Sequence, residues 1–226
     1  MPIEYRNQEI QYYRNPNVIA IPNFFGKEMS KIFLKHIIDN KNNFGKASVG
    51  GGKVARIDNN MRSNQVLFLS EKFPDMNESI LGQSMMAAIR STFLHELATS
   101  SFLPLSILDQ TDYSDIQISR YGDGGQHYDW HIDHMGGDSS RLLTFVYYFF
   151  KEPKKFKGGE VEFTDGLIAN GKLLNQTPEP KIITLQPKND MLVMFGAKTP
   201  HRVKKTISSK TFSDGRFSVN MWIGKR

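Results

Sequence analysis

The apolar positions of this chain change rhythm partway along. Val18–Ile21 is a short apolar run closed by Pro22-Asn23, which predicts a strand. After Gly26-Lys27-Glu28, the residues Ile32, Phe33, His36 and Ile37 recur at helical spacing and predict an amphipathic helix to about Asn40. A longer stripe, Ile80, Leu81, Met85, Ile89, Phe93 and Leu97, predicts a second helix over Asn77–Ala98, with its methionines as core filler. Phe44–Arg62, between them, follows neither period. Gly50-Gly51-Gly52 interrupts it, and Lys46, Lys53, Arg56 and Arg62 make it basic. Successive glycines predict a mobile loop, either a plain connector or a lid over a pocket.

From Asp115 onward the period falls to two. Ile116, Ile118 and Arg120 alternate with polar neighbours, and Leu142–Phe150 is a continuous apolar and aromatic run. Lys157–Phe163 reads as a glycine bend entering a strand. Lys181–Leu185, Met191–Phe195, Arg202–Lys204 and Phe217–Ile223 are further short strands, with a turn at Pro187-Lys188-Asn189-Asp190. Many short strands separated by turns predict a β-sandwich or jelly roll. Helices first and strands after predict an α+β arrangement, with the helices buttressing one sheet. A length of 226 residues suits one domain, 1–226, with 1–114 as support and 115–226 as the core.

Composition narrows the chemistry. The absence of cysteine excludes disulfides, thiolate metal sites and a cysteine nucleophile. His95-Glu96 has no second histidine four residues on, so a zincin helix is absent. Leu142–Phe150 is too short to span a bilayer, and Met1–Arg6 shows no apolar signal core, so the expected location is cytoplasmic, with no membrane partner. The net charge of +6 fits an anionic partner or merely a basic surface.

The richest stretch is Tyr121–Asp133, which carries two His-x-Asp triplets, His127/Asp129 and His131/Asp133. Residues two apart on a strand share a face, so either pair can grip one metal ion. His201, far downstream, is the best candidate for a third ligand. Two histidines and one carboxylate, with positions left open, form the ligand set of non-haem Fe(II) oxygenases. In a regular strand all four residues from 127 to 133 fall on one face, so geometry leaves both triplets open.

The order of the remaining residues adds to this. Tyr121, His131-Ile132-Asp133, Arg141, Thr144, Gly158-Gly159-Glu160, Pro187-x-x-Asp190, His201, Gly215-Arg216 and Trp222 together resemble the prolyl-4-hydroxylase-like branch of the Fe(II)/2-oxoglutarate dioxygenases. The wording Tyr-Asp-Trp-His-Ile-Asp is similar to its bacterial PKHD-type hydroxylases. The resemblance covers about Asp115–Arg226. It implies a double-stranded β-helix, a jelly-roll core with N-terminal supporting helices, holding Fe(II) on His131, Asp133 and His201. His127 and Asp129 then take a role at the rim. The cosubstrate 2-oxoglutarate carries a remote carboxylate whose burial calls for a cation. Arg216 suits that role, because a guanidinium grips a carboxylate with two parallel bonds. Lys210 is a rival, nearer the family's usual spacing from His201; Thr206–Gly215 then reads as an inserted loop.

On the last strand Arg216, Ser218, Asn220 and Trp222 share a polar face and Phe217, Val219, Met221 and Ile223 an apolar one. The resemblance implies cosubstrate contacts for Tyr121, Thr144, Tyr148, Arg216 and Ser218, and substrate contacts for His127, Arg141, Asn220 and Trp222. Asn189 replaces the family's usual glycine and is expected to keep the turn through a positive φ. The reaction implied is decarboxylation of 2-oxoglutarate to succinate and CO2, coupled to C–H hydroxylation with O2, and ascorbate as an optional reductant. The substrate is a peptidyl residue, prolyl among others, or a small molecule. Alternatives are a nucleic-acid-modifying dioxygenase, which no aromatic-interleaved basic motif favours, and a jelly roll that binds a metal or ligand without catalysis.

Overall fold

The structure, a computed structural model, describes residues 10–50, 55–68, 113–134 and 141–224, with positions 87 and 91. The helix expected over Asn77–Ala98 lies outside the described residues, except that Ala87 and Ser91 are helical.

Among the described residues, two antiparallel sheets face each other and one helix packs behind the larger. The chain opens with β1 (Gln11–Tyr13), β2 (Val18–Pro22) and α1 (Lys27–Asp39), followed by β3 (Gly45–Lys46) and β4 (Gln65–Phe68). The core strands are β5 (Tyr113–Tyr121), β6 (Gln126–His131), β7 (Arg141–Phe149), β8 (Phe156–Gly158) and β9 (Val161–Thr164). A small hairpin, β10 (Ile168–Ala169) and β11 (Lys172–Leu173), precedes β12 (Ile182–Leu185), β13 (Met191–Gly196), β14 (His201–Ser208) and β15 (Arg216–Gly224). The large sheet runs β1-β2-β13-β7-β15-β5-β4-β3, and the small one β12-β9-β14-β6 with β8 alongside β14. This is the double-stranded β-helix arrangement, a jelly roll supported by a helix. No described helix is long and apolar enough to cross a membrane.

Period-two alternation sorts the large sheet into two faces. Ile116, Ile118, Phe145, Tyr147, Phe149, Phe217, Val219, Met221 and Ile223 point toward α1 and join Phe33 and Ile37 in one core. The opposite face packs Tyr148, Val193 and Phe195 against Val161, Phe163, Ile183 and Leu185 of the small sheet. Burying each large apolar side chain stabilises the fold by about 1.5–3 kcal/mol. The stripe on α1 differs from expectation at one position: Phe33 and Ile37 are buried, but Ile32 is 54% exposed. Neighbouring helical residues lie about 100° apart, so Ile32 and Phe33 cannot both centre on one stripe.

The turn after β12 ties helix to sheet. Asp190 accepts hydrogen bonds from Phe25 N at 2.8 Å, Gly26 N at 2.7 Å and the Tyr147 hydroxyl at 2.9 Å. Gly26 precedes α1 and offers no side-chain cap, so the Asp190 carboxylate serves the helix entry from across the sheet. The positive φ of this turn falls on Asp190, at 60°, rather than on Asn189 as the sequence had implied. Asn189 is used differently: its Oδ1 accepts from Phe150 N and its Nδ2 donates to Ser30 Oγ.

Removing the Asp190 carboxylate strands three donors, each costing about 1–3 kcal/mol when buried. We expect Asp190→Ala to lower unfolding free energy by at least about 3 kcal/mol in a urea titration, with Asp190→Asn intermediate. An unshifted midpoint in both variants would show that the clasp contributes nothing.

Candidate metal centre and cosubstrate cavity

The ambiguity between the two His-x-Asp triplets is resolved by an irregularity in β6. His131 pairs with His201 and Tyr128 with Val203, so three steps along β6 match two along β14. The extra residue is a β-bulge, which re-aims the side chains beyond it. Tyr128 and His131 therefore lie on one face and stack, with centroids 3.4 Å apart and planes at 11°. The regular strand assumed from sequence does not exist here, and His127 and Asp129 separate from the downstream pair. They open onto another cleft beside Arg202, Lys204 and Lys205. The His127 imidazole is held there by Ser63 Oγ, Gly125 O and Asn60 O. His127 thus does not line the cavity that holds His131, contrary to the substrate contact implied for it. His134 bonds Arg141 O through Nδ1, 2.6 Å away.

His131, Asp133 and His201 converge, their ligand atoms all within 4.8 Å of one another. His131 Nε2 lies 3.8 Å from Asp133 Oδ1, and His201 Nε2 3.6 Å from Asp133 Oδ2. Each imidazole is oriented through its other nitrogen. Nδ1 of His131 donates to Asp129 O at 2.7 Å, and Nδ1 of His201 to Thr199 O at 2.9 Å. A carbonyl only accepts, so Nδ1 is the protonated nitrogen in each bond, and Nε2 is the nitrogen turned toward the carboxylate. That is the outer bonding expected of histidines that bind a metal. Burial and the neighbouring His201 hold the His131 imidazole well below its ordinary value, favouring the neutral form that ligates. Burial alone would push Asp133 up, but the two imidazoles and the Thr144 hydroxyl, bonded at 2.7 Å, outweigh it and keep the carboxyl below its ordinary range. The Trp222 indole N–H also helps hold that charge, without reaching hydrogen-bonding geometry.

The triad opens into a cavity of about 360 Å³ between the sheets. Tyr121, Arg141, Thr144, Tyr148, Arg216, Ser218, Asn220 and Trp222 all line it; strand alternation brings each there except Arg141, which sits at the start of β7 where the pairing with β15 is irregular. Arg216 is 1% exposed, and its Nε and Nη1 have no hydrogen-bond partner. Its guanidinium lies between the rings of Tyr148, at 4.6 Å, and Tyr121, at 4.8 Å. Burial pushes both tyrosine hydroxyls up despite the nearby Arg216, so both remain protonated donors. A buried cation with donors unused is costly unless an anion completes it. The cavity therefore fits a carboxylate at this end and a metal at the other. Lys210 lies elsewhere, in a shallow pocket with Lys46, Arg120 and Phe212. The presumed insertion is shorter than expected, because β14 continues to Ser208 and a 3-10 turn at Phe212–Asp214 fills the rest.

The sequence had not singled out Arg62, Tyr128, Gln117 or Met61, which also line the cavity. Met61 O accepts from Asp129 N and Ser63 N donates to His127 O, so this segment borders β6 like a short extra strand. Arg62 bonds Asn64 Oδ1, Ser48 O and Gln117 Oε1, and stands 4.5 Å over the Tyr128 ring. Burial raises the Tyr128 hydroxyl to about 12. Gly50, of the glycine run read as either a plain connector or a lid, lines the cavity; positions 51 and 52 lie outside the described residues.

Residues 116–224 match the model of the 2OG-Fe(II) oxygenase superfamily. That stretch is thus similar to a 2OG-Fe(II) oxygenase domain. It is 30% identical over 209 residues to an uncharacterized PKHD-type hydroxylase of Synechocystis sp., covering 91% of this chain and 62% of that protein. Two solved structures share the fold. A Trichoplax adhaerens prolyl hydroxylase, in complex with a hypoxia inducible factor peptide, has a TM-score of 0.64 at 17% identity, over 92% of this chain and 83% of that one. A Pseudomonas putida prolyl-4-hydroxylase has a TM-score of 0.63 at 16% identity, over 92% of each chain.

The bend that leads into β9 packs directly on the buried cation. A Cβ on Gly159, at φ 75°, would meet Arg216 Cδ at 2.7 Å and Thr206 Oγ1 at 2.8 Å. Gly124, at φ 77°, has nothing within 4 Å and isolates the backbone cost alone. We expect Gly159→Ala to destabilise by about 1–3 kcal/mol more than Gly124→Ala, by thermal or urea unfolding. Equal losses would show that this contact is slack.

Proposed function

We propose that this protein is an Fe(II)- and 2-oxoglutarate-dependent hydroxylase acting on a C–H bond of a peptidyl residue or small molecule, with 1–226 working as one domain. The observation that carries it is one cavity with a triad of two histidines and a carboxylate at one end and, at the other, a buried guanidinium whose Nε and Nη1 have no partner. His131, Asp133 and His201 hold the metal. Fe(II) with 2-oxoglutarate supplies oxidative decarboxylation to succinate and CO2, coupled to hydroxylation with O2. Arg216 grips the remote carboxylate, with the Tyr121 and Tyr148 hydroxyls as further donors. Thr144 fixes the Asp133 carboxylate through its free oxygen and so orients the other. Val146, Val161 and Val203 line the space between, and such apolar walls strengthen both charge contacts. The peptide held by the Trichoplax prolyl hydroxylase supports a peptidyl residue as one substrate class. Iron-dependent succinate release, with a mass gain of one oxygen in a substrate pool, is the direct test.

Two outcomes are specific to these residues. Alanine at His131, Asp133 or His201 should abolish turnover and weaken Fe(II) or Mn(II) binding, measured by titration, whereas His127→Ala should leave binding nearly intact. Loss with His127→Ala and retention with His131→Ala would assign the metal to the other triplet.

Removing one partner of a buried charge pair costs on the order of 3–5 kcal/mol, and each 1.4 kcal/mol is about tenfold. Arg216→Ala should therefore raise the apparent 2-oxoglutarate constant by roughly a hundredfold or more, leaving metal affinity close to wild type. Arg216→Lys should recover part of it, since a point charge lacks the two-pronged grip. Lys210→Ala serves as the neutral control. A large defect in Lys210→Ala instead would move the anchor there.

A further inference from the structure

The polar face that the central strands turn to the cavity is linked as a single chain of hydrogen bonds. β15 and β5 place Arg216 opposite Tyr121, Ser218 opposite Ser119 and Asn220 opposite Gln117. Ser218 Oγ donates to Asn220 Oδ1 at 3.0 Å, Asn220 Nδ2 to Ser119 Oγ at 3.3 Å, and Ser119 Oγ to Gln117 Oε1 at 3.2 Å. Gln117 Oε1 also accepts from Arg62 Nη2 at 2.8 Å. One end of the chain stands two residues from the buried Arg216 cation. The other end is the guanidinium of the segment that borders β6. Ser119, Gln117 and Ser218 are buried, so each depends on the next for its partner. Arg62 spends its other bonds on Asn64 Oδ1 and Ser48 O, and Gln117 supplies its hydrogen bond to the large sheet.

We propose that Gln117, Ser119 and Asn220 are positioning residues through which the cosubstrate sets Arg62. The inference rests on the reading above, in which Arg216 holds a carboxylate. A hydroxyl donates one proton and accepts as well, and a carboxamide has a donor prong and an acceptor prong. The chain can therefore run in either sense with its links kept. Ser218 and Arg216 both line the cavity. Beside a carboxylate on Arg216, Ser218 turns its proton to the anion, because a charge-assisted bond outweighs a neutral one. Asn220 then turns its amide, so that Nδ2 donates to Ser218 Oγ and Oδ1 accepts from Ser119. Ser119 thereby leaves Gln117, whose Oε1 passes wholly to Arg62. No proton changes its atom; two hydroxyls and one amide rotate, and each retains a partner. Arg62 is held more tightly as a result, and with it Met61 and Ser63, whose backbone borders β6. Filling one end of the cavity stiffens the wall at the other.

The test reads amide hydrogen exchange of the intact protein loaded with Zn(II), which does not turn over, with and without saturating 2-oxoglutarate. Calorimetry follows the binding itself. The reporting amides are Arg62 N, bonded to Asp58 O, Ser63 N, bonded to His127 O, and Asp129 N, bonded to Met61 O. In the wild type we expect 2-oxoglutarate to slow their exchange by about fivefold or more. Ser119→Ala cuts the chain in its middle and should bind 2-oxoglutarate without that slowing. Gln117→Leu is a second cut and should behave alike. Gln117→Glu should exchange slowly with and without 2-oxoglutarate, since its carboxylate pairs with Arg62 outright. A merely structural role gives faster exchange in all three variants, whether or not 2-oxoglutarate is bound. A wild type that does not bind 2-oxoglutarate overturns the hydroxylase reading and this inference with it. Binding that leaves the three amides unchanged overturns this inference alone. So does a slowing that survives both cuts, or fast exchange in Gln117→Glu without 2-oxoglutarate.

Discussion

Everything in this fold is arranged around one charge that has been taken out of water. The Arg216 guanidinium is wholly buried with nitrogen donors unused, and burying a cation is costly without a partner. Its surroundings limit the cost. Two aromatic rings flank it, and a glycine bend lies close enough to exclude any side chain there. The strand that carries it is paired along both edges, with β5 and with β7, so it cannot swing out to solvent. The next residues toward α1, Phe217, Val219, Met221 and Ile223, supply the apolar burial that offsets the charge. An anion bound there removes the penalty and stabilises the folded state by mass action.

Much of this was legible in the sequence because alternation is a strict rule. Val18–Ile21, Leu142–Phe150 and Phe217–Ile223 each became strands, and the polar face of Arg216, Ser218, Asn220 and Trp222 became a cavity wall. What failed to show has one cause in each case. The bulge between Tyr128 and His131 is a property of pairing with β14, which a single strand's residues do not encode. Without it, His127 and His131 look equivalent. The inward aim of Arg62 depends on Ser48, Asn64 and Gln117, three acceptors from separate stretches, so a basic run alone could not reveal it. Ile32 passed for core because a list of apolar positions carries no angle.

The division at residue 114 follows chain order but not the cavity. Ser48, Val49, Gly50, Met61 and Arg62 come from the supporting half and close one side of the space. The backbone of Met61 and Ser63 is zipped to the outer edge of β6. The half expected to support the core therefore supplies wall, charge and edge cover as well. An edge strand left bare would present unpaired amides to any passing chain.

The stacked pair at β6 has a consequence for motion. Along a regular strand, same-face neighbours stand about 6.6 Å apart, two rises of about 3.3 Å, but the bulge brings the Tyr128 and His131 rings to 3.4 Å. One imidazole nitrogen is already bound to Asp129 O, and the tyrosine ring blocks a flip about the remaining torsion. The ring is thus immobilised by folding itself. Whatever approaches its free nitrogen meets a donor whose rotational entropy has already gone, and the loss does not fall on the binding step.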